Sequence, residues 1–206
     1  MVSAVWEALR VLLLGIGAGA LVAAALAPVT ALTRVGRELL RTLTRIARAV
    51  PPIVVLPVAM LWLGRGTSAI VVTAANAAVW PLAANLAAGL EAANPTLLAV
   101  GRNIGLSRLR LVTDVVVPSA LPHAIAGLKA AWASGWHTVV AAELVLGFAG
   151  GDAPFGAYIA GAGRDRLFAA LLALAALGVV FEAAFGVLER RTVVRWGMPR
   201  ATAVAV

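Results

Sequence analysis

The sequence predicts an all-α membrane protein: five transmembrane helices, with an amphipathic helix-turn-helix on the cytoplasmic side between the third and the fourth. Three observations predict it. Hydrophobic residues make up 62% of the 206-residue chain and charged residues 13%, about half the charged share of soluble domains. The apolar residues fall in runs close to the roughly 20 residues with which a helix crosses hydrocarbon. The basic residues stand in blocks between those runs, so the net charge of +8 reads as the positive-inside bias of membrane proteins and not as a nucleic-acid surface. There is no cysteine, which excludes disulfides and thiolate metal sites. Neither a metal ion nor a cofactor is expected on this chain, which reads as one membrane domain over residues 1–206.

The first span is expected over Val5–Ala27, with Glu7 and Arg10 near its start; a secretory signal peptide is the rival reading of that run. Gly15 and Gly19 are placed to let a neighbouring helix approach closely. Thr30–Arg48 carries Arg34, Arg37, Arg41, Arg45 and Arg48 at steps of three and four against one acid, Glu38. It reads as a basic amphipathic connector flanking the membrane. The second span, Ala49–Leu63, holds Pro51, Pro52 and Pro57, and prolines inside a span free carbonyls that neighbours or water must satisfy. The third span, Ser68–Leu90, carries Asn76, Trp80 and Asn85. Asparagine in hydrocarbon needs a partner, either another helix or a wet pathway.

Asn94–Pro122 interrupts the apolar runs with Arg102, Arg108, Arg110 and Asp114. Its apolar residues recur at three- and four-residue steps, which suits short amphipathic helices. Gly105 breaks the pattern and Ser107 can cap the helix that follows. The fourth span, Ala124–Phe148, places Lys129, Trp136 and Glu143 seven residues apart, nearly in line, with His137 beside them. Either that stripe avoids lipid or its two charges snorkel to the span ends. Residues 149–164 read as a glycine-rich loop and Leu167–Leu188 as the fifth span. If spans four and five run antiparallel, Lys129 and Glu182 lie at similar depth and pair, which offsets the burial cost of both. The connector, the central segment and the tail (Arg190, Arg191, Arg195, Arg200) hold 12 of the 17 basic residues. That bias expects the N-terminus outside and the C-terminus in the cytoplasm.

A cytoplasmic helix-turn-helix between spans three and four resembles binding-protein-dependent ABC importer permeases, whose signature there is E-A-A, three residues, G, nine residues, I-x-L-P. Glu91-Ala92-Ala93 begins like it, but position 97 would then need glycine and holds Leu97. Aligned on Gly105, the signature falls on Ala99-Val100-Gly101, Val115 and Val117-Pro118 with every spacing right, and Ala99 replaces the glutamate. RAVPPIVVLPVAMLWLG over residues 48–64 is similar to the R-x-(I/V)-P-P…LP…LW-G stretch of nitrate, taurine and alkanesulfonate permeases. Gly127-Leu128-Lys129, Trp136 and Ala142-Glu143-Leu144 resemble the GL(R/K)…W…AE block of the same branch. The likeness covers about residues 5 to 195; members of that branch commonly carry one more N-terminal span.

The resemblance implies that residues 94–122 are the element coupling the spans to a separate ABC ATPase subunit, which would use the ATP and Mg. Leu98, Val100, Ile104 and Leu106 would fill a groove on that subunit, with Arg102, Arg108 and Arg110 on its rim; Ala99, Gly101 and the turn glycine Gly105 belong to the same coupling element. An extracytoplasmic solute-binding protein, a second permease copy in a homodimer, and a bacterial cell membrane are the other implied surroundings. The implied cargo is a small anion, and no catalytic residue is needed. Pathway candidates are Asn76, Asn85, Trp136 and His137, whose neutral donors hold an anion weakly, together with Glu143. Two other readings remain open here: a proton relay through Glu143 and His137, and a non-transporting scaffold, hinted by Ala99.

Overall fold

The computed structural model describes residues 2–161 and 163–192; Arg195 and Arg200 lie outside them. The elements are α1 (Val2–Leu32), α2 (Arg34–Ala49), a 3₁₀ turn (Pro52–Val54), α3 (Val55–Leu63), α4 (Thr67–Glu91), α5 (Pro95–Asn103), α6 (Arg108–Leu111), one π turn (Val112–Val116), α7 (Val117–Phe148), α8 (Pro154–Ala160) and α9 (Arg164–Thr192). Among the described residues there is no strand. Among the described residues, four helical stretches are long and apolar enough to cross a membrane (Val2–Val29, Thr67–Glu91, Arg108–Phe148 and Phe168–Thr192), and the bent pair Arg34–Ala49 with Pro52–Leu63, taken as one broken span, makes five.

Small residues set the core. A Cβ on Gly15 would lie 2.6 Å from Ala74 Cβ, and one on Gly19 would lie 2.9 Å from Ala75 O. So α1 and α4 run side by side in the same direction at near-backbone contact, the approach that hydrogen-for-methyl replacement permits in lipid. α7 runs antiparallel to α4, since Gly127 meets Asn85 while Gly89 meets Ala120 and His123. The run for which a signal peptide was the rival reading contributes fully buried Leu12 and Ala23 to this core. α9 leans on the outside of α7, with Trp132 against Phe181 (ring centroids 3.9 Å) and Phe185 (6.0 Å). Its Leu172, Val179 and Val180 are exposed, a surface suited to lipid.

The second span, expected over 49–63 with its prolines interrupting it, is broken at the first two of those prolines, and two other expectations need correction. Val50 and Pro51 are extended, and the helical pieces on either side, Arg34–Ala49 and Pro52–Leu63, are bent by 85°. The Pro51-Pro52 pair is the cause, because proline cannot continue a helix and holds its predecessor extended. Twelve residues from Pro52 to Leu63 cover only about 20 Å of a core about 30 Å thick. Residues 149–164 are not merely a loop, because they contain α8. Nor does the central segment end at Pro122: helix runs unbroken through Pro118 and Pro122 to Phe148. It does so by widening one turn. Pro118 has no N–H for Asp114 O, and Val117 N–H instead reaches back five residues to Val112 O.

The bundle has two differently built ends. At one, α8 packs beside the turn between α3 and α4, joined by Asp152 N–H to Arg65 O at 3.0 Å. At the other stand α2, the end of α4, α5 and α6. Arg37 and Arg41 of α2 reach Glu91 of α4 at 3.6 and 4.0 Å, so Glu91, which imitates the signature glutamate, ties α2 to α4.

Candidate functional site

The helix-turn-helix is built by local rules. Asn94 Oδ1 accepts from Thr96 N–H at 2.9 Å with Pro95 in the first helical position, the side-chain cap and pre-set φ that start a helix. α5 ends on Gly105 at φ +80. Leu106 N–H donates to Gly101 O at 2.9 Å and Gly105 N–H to Arg102 O at 3.1 Å, the paired bonds of a Schellman turn. Ser107 Oγ then accepts from Arg110 N–H at 3.3 Å and starts α6. α6 folds back on α5 over Gly101, where an added Cβ would meet Leu111 Cδ2 at 2.6 Å and Leu106 Cδ1 at 3.2 Å. Gly101 is therefore the socket that lets two leucines lock the turn.

What this leaves outside is apolar. Leu97, Val100, Ile104 and Leu109 are all at least half exposed, with Ile104 at 70% and Leu109 at 73%. An open groove of about 450 Å³ runs between α5 and the start of α7, lined by Leu97, Val100, Ile104, Asp114, Val115 and Pro118 among others. Arg102, Arg108, Arg110 and Ala99 are exposed around it. Of the four apolar residues expected to fill a partner's groove, Val100 and Ile104 face outward, whereas Leu98 and Leu106 are half-buried. Leu106 is turned inward onto Gly101. Leu97 and Leu109 take the outward places instead, which three- and four-residue spacing alone does not distinguish.

The other predicted residues separate into different environments. Lys129 Nζ lies 2.5 Å from Glu182 Oε1, so the structure brings those two together. The stripe of Lys129, Trp136 and Glu143 does not share one setting: Lys129 is partly exposed, Trp136 packs on the core, and Glu143 has no exposed surface. Glu143 Oε2 accepts from Phe155 and Gly156 N–H, each at 3.2 Å. Its carboxylate thus caps the start of α8, where free amides and the helix dipole favour negative charge. Asn85 is buried against Gly127, with Nδ2 donating to Pro81 O at 2.8 Å. Asn76 Oδ1 accepts from Trp80 Nε1 at 3.3 Å, and His137 is exposed. Reasoning from sequence missed α8 and its cap; Pro154 after Ala153, the proline-first start of a helix, was the available signal.

The fold and this site define a polytopic membrane protein with an amphipathic helix-turn-helix projecting from one end of its bundle. Residues 15–194 match the model of the binding-protein-dependent transport system inner membrane component family, so the chain belongs to that family. It is 28% identical over 159 residues to the taurine transport system permease protein TauC of Escherichia coli, covering 75% of this chain and 56% of the relative. It is 29% identical over 150 residues to the nitrate import permease protein NrtB of Leptolyngbya laminosa, covering 72% and 53%. The chain thus spans little more than half the length of these relatives. Among solved structures, an inward-facing MetNI methionine ABC transporter chain shares the fold with a TM-score of 0.72 at 22% identity, covering 93% of this chain and 95% of that one.

Proposed function

We propose that the chain is the transmembrane permease subunit of an ATP-driven ABC importer that carries a small anion, of the nitrate, taurine or sulfonate kind, into the cytoplasm. The observation that carries this reading is the α5–α6 turn: a locally rigid element whose exposed apolar residues have no partner within the described chain. A short, stiff amphipathic helix seated in a groove transmits motion between two proteins. Here the partner would be a separate ATPase subunit holding ATP and Mg, with a second permease copy completing the pore. An extracytoplasmic binding protein would deliver the solute. The arginines of α2, α5 and α6 gather at one end of the bundle, which supports placing that end in the cytoplasm and the N-terminus outside. Family membership and the anion-transporting names of the relatives support the cargo class.

The pathway candidates divide under this reading. Asn76, Trp136 and His137 retain surface that a second copy could line, whereas Asn85 and Glu143 are engaged inside the subunit. Glu143 on the amides of α8 favours an anchoring role over a proton relay with His137. The test is reconstitution in proteoliposomes with the proposed ATPase subunit and binding protein. ATP-dependent uptake of labelled taurine, nitrate or an alkanesulfonate is expected, and Arg102→Ala or Gly105→Val should remove the solute-stimulated ATPase activity. ATP hydrolysis indifferent to all three solutes would overturn the cargo class. Failure of the ATPase subunit to associate would overturn the permease reading itself.

A further inference from the structure

At the same end of the bundle as α5, a second groove lies between α2 and the last two turns of α4. It has a volume of about 360 Å³, and its lining includes Arg37, Arg41, Thr44, Arg45, Arg48 and Glu91 over a floor of Leu40, Ala84, Ala87 and Ala88. Four arginines and one acid therefore line it. Glu91 draws on Arg37 and Arg41, and Arg41 also meets Glu38 at 2.9 Å. Arg45 shows no ion pair among the described residues. An arginine-rich lining in which Arg45 is left over calls for an acceptor with several oxygens.

The shape says more than the charge. Ala84, Ala87 and Ala88 lie on one face of α4 at helical spacing, so the floor descends about 10 Å from Glu91 along the span and has only methyl groups to fill it. On the opposite side of α2, Val35, Leu39, Leu43 and Ile46 are exposed, roughly opposite the arginine stripe at about 100° per residue. Set at 85° to the helical piece that follows it, and apolar on one side and basic on the other, α2 has the make-up of an interfacial helix. A bare anion would satisfy the arginines and leave the alanine floor empty.

We propose that this groove is a binding site for an anionic phospholipid, with the phosphodiester held by Arg41 and Arg45 and an acyl chain lying on the alanine face of α4. The bound lipid fixes α2 against α4 beside the α5–α6 turn. Basic grooves between membrane helices recognise such headgroups, each guanidinium contributing about fivefold in affinity.

The experiment is native mass spectrometry of the full chain in detergent, titrated with dioleoylphosphatidylglycerol, dioleoylphosphatidylcholine or inorganic phosphate. One saturable phosphatidylglycerol adduct is expected, with phosphatidylcholine binding far more weakly and millimolar phosphate failing to displace it. The Arg41→Gln/Arg45→Gln variant should bind about thirtyfold more weakly. Ala84→Leu, which fills the floor and leaves every charge in place, should weaken binding about tenfold, while Arg34→Gln, outside the groove on the same helix, should change nothing. Thermal unfolding of each variant without lipid separates lost binding from lost fold. Displacement of the adduct by phosphate would make this a free-anion site and overturn the lipid assignment. Unchanged binding in Ala84→Leu, or in the double arginine variant, would overturn the seat.

Discussion

Two turns in this molecule obey the same capping rule and end in opposite circumstances. α5 closes on Gly105 at φ +80 and α7 on Gly150 at φ +69, each with a bond from the second residue beyond the cap, Leu106 to Gly101 O and Gly151 to Leu146 O. After Gly150 the chain dives back into the bundle. Phe155 is fully buried, Glu143 caps α8, and a Cβ on Gly156 would lie 1.6 Å from Glu143 O. After Gly105 it stays outside, with Ile104 and Leu109 more than two-thirds exposed. One end spends its apolar surface and its carboxylate on internal packing. The other keeps apolar surface unspent, and unspent apolar surface that is rigidly held is what a partner can use.

The sharpest way to break that contrast is a pair of glycine substitutions. Gly156→Val must push two backbones apart, and is expected to cost more than about 4 kcal/mol, in the range reserved for severe overpacking. Gly101→Ala meets only the tips of Leu111 and Leu106, which can move, so about 1 kcal/mol is expected. Thermal unfolding in detergent, read by size-exclusion fluorescence, should rank them in that order; equal losses would remove the distinction between the ends.

Next in size is Glu143→Ala. It strips the acceptor from two buried N–H groups, and a loss of about 3 kcal/mol is expected in the same assay. Glu143→Gln keeps one oxygen for those amides and should recover more than half of it. Were Glu143 a transport residue and not an anchor, Glu143→Ala would leave the melting temperature alone and alter only transport.

Smaller still is the Lys129–Glu182 pair, whose side chains are 43% and 65% exposed within the chain. Either single charge reversal should cost about 1 kcal/mol, and the double reversal should restore most of it. A double variant no better than the singles would show that α9 is held to α7 by Trp132, Phe181 and Phe185 alone.

Much of this was legible in the sequence because it rests on local chemistry. Gly15 and Gly19, the Ser107 cap and the Gly105 turn each follow from one residue and its near neighbours. The ion pair followed from depth, once two spans were taken as antiparallel. What escaped depended on distant parts of the chain. Glu143 reads as an intramembrane charge until α8, a dozen residues on, brings two amides to it. Leu106 reads as one of four equivalent leucine-like anchors until Leu111 folds back and claims the Gly101 socket from the other side. The Pro51-Pro52 pair was visible, but an 85° bend needed α2 to have its own anchorage on Glu91. Leu97 and Leu109 are more exposed than Leu98 and Leu106 for a reason spacing does not carry: helical spacing identifies an apolar stripe, and only packing decides which edge of it stays outside.

Under the proposed function, the exposed face of α5 serves a partner and not the fold. This is tested by Val100→Asp/Ile104→Asp, made in the full chain and co-expressed with the proposed ATPase subunit. Both positions are at least half exposed, so the melting temperature of the isolated variant should match the parent, a change within about 0.5 kcal/mol. Co-purification of the ATPase subunit should fall at least tenfold, as expected when charge replaces the apolar anchors of a helix-in-groove contact. An ATPase subunit retained in full by a stably folded double variant would contradict the account.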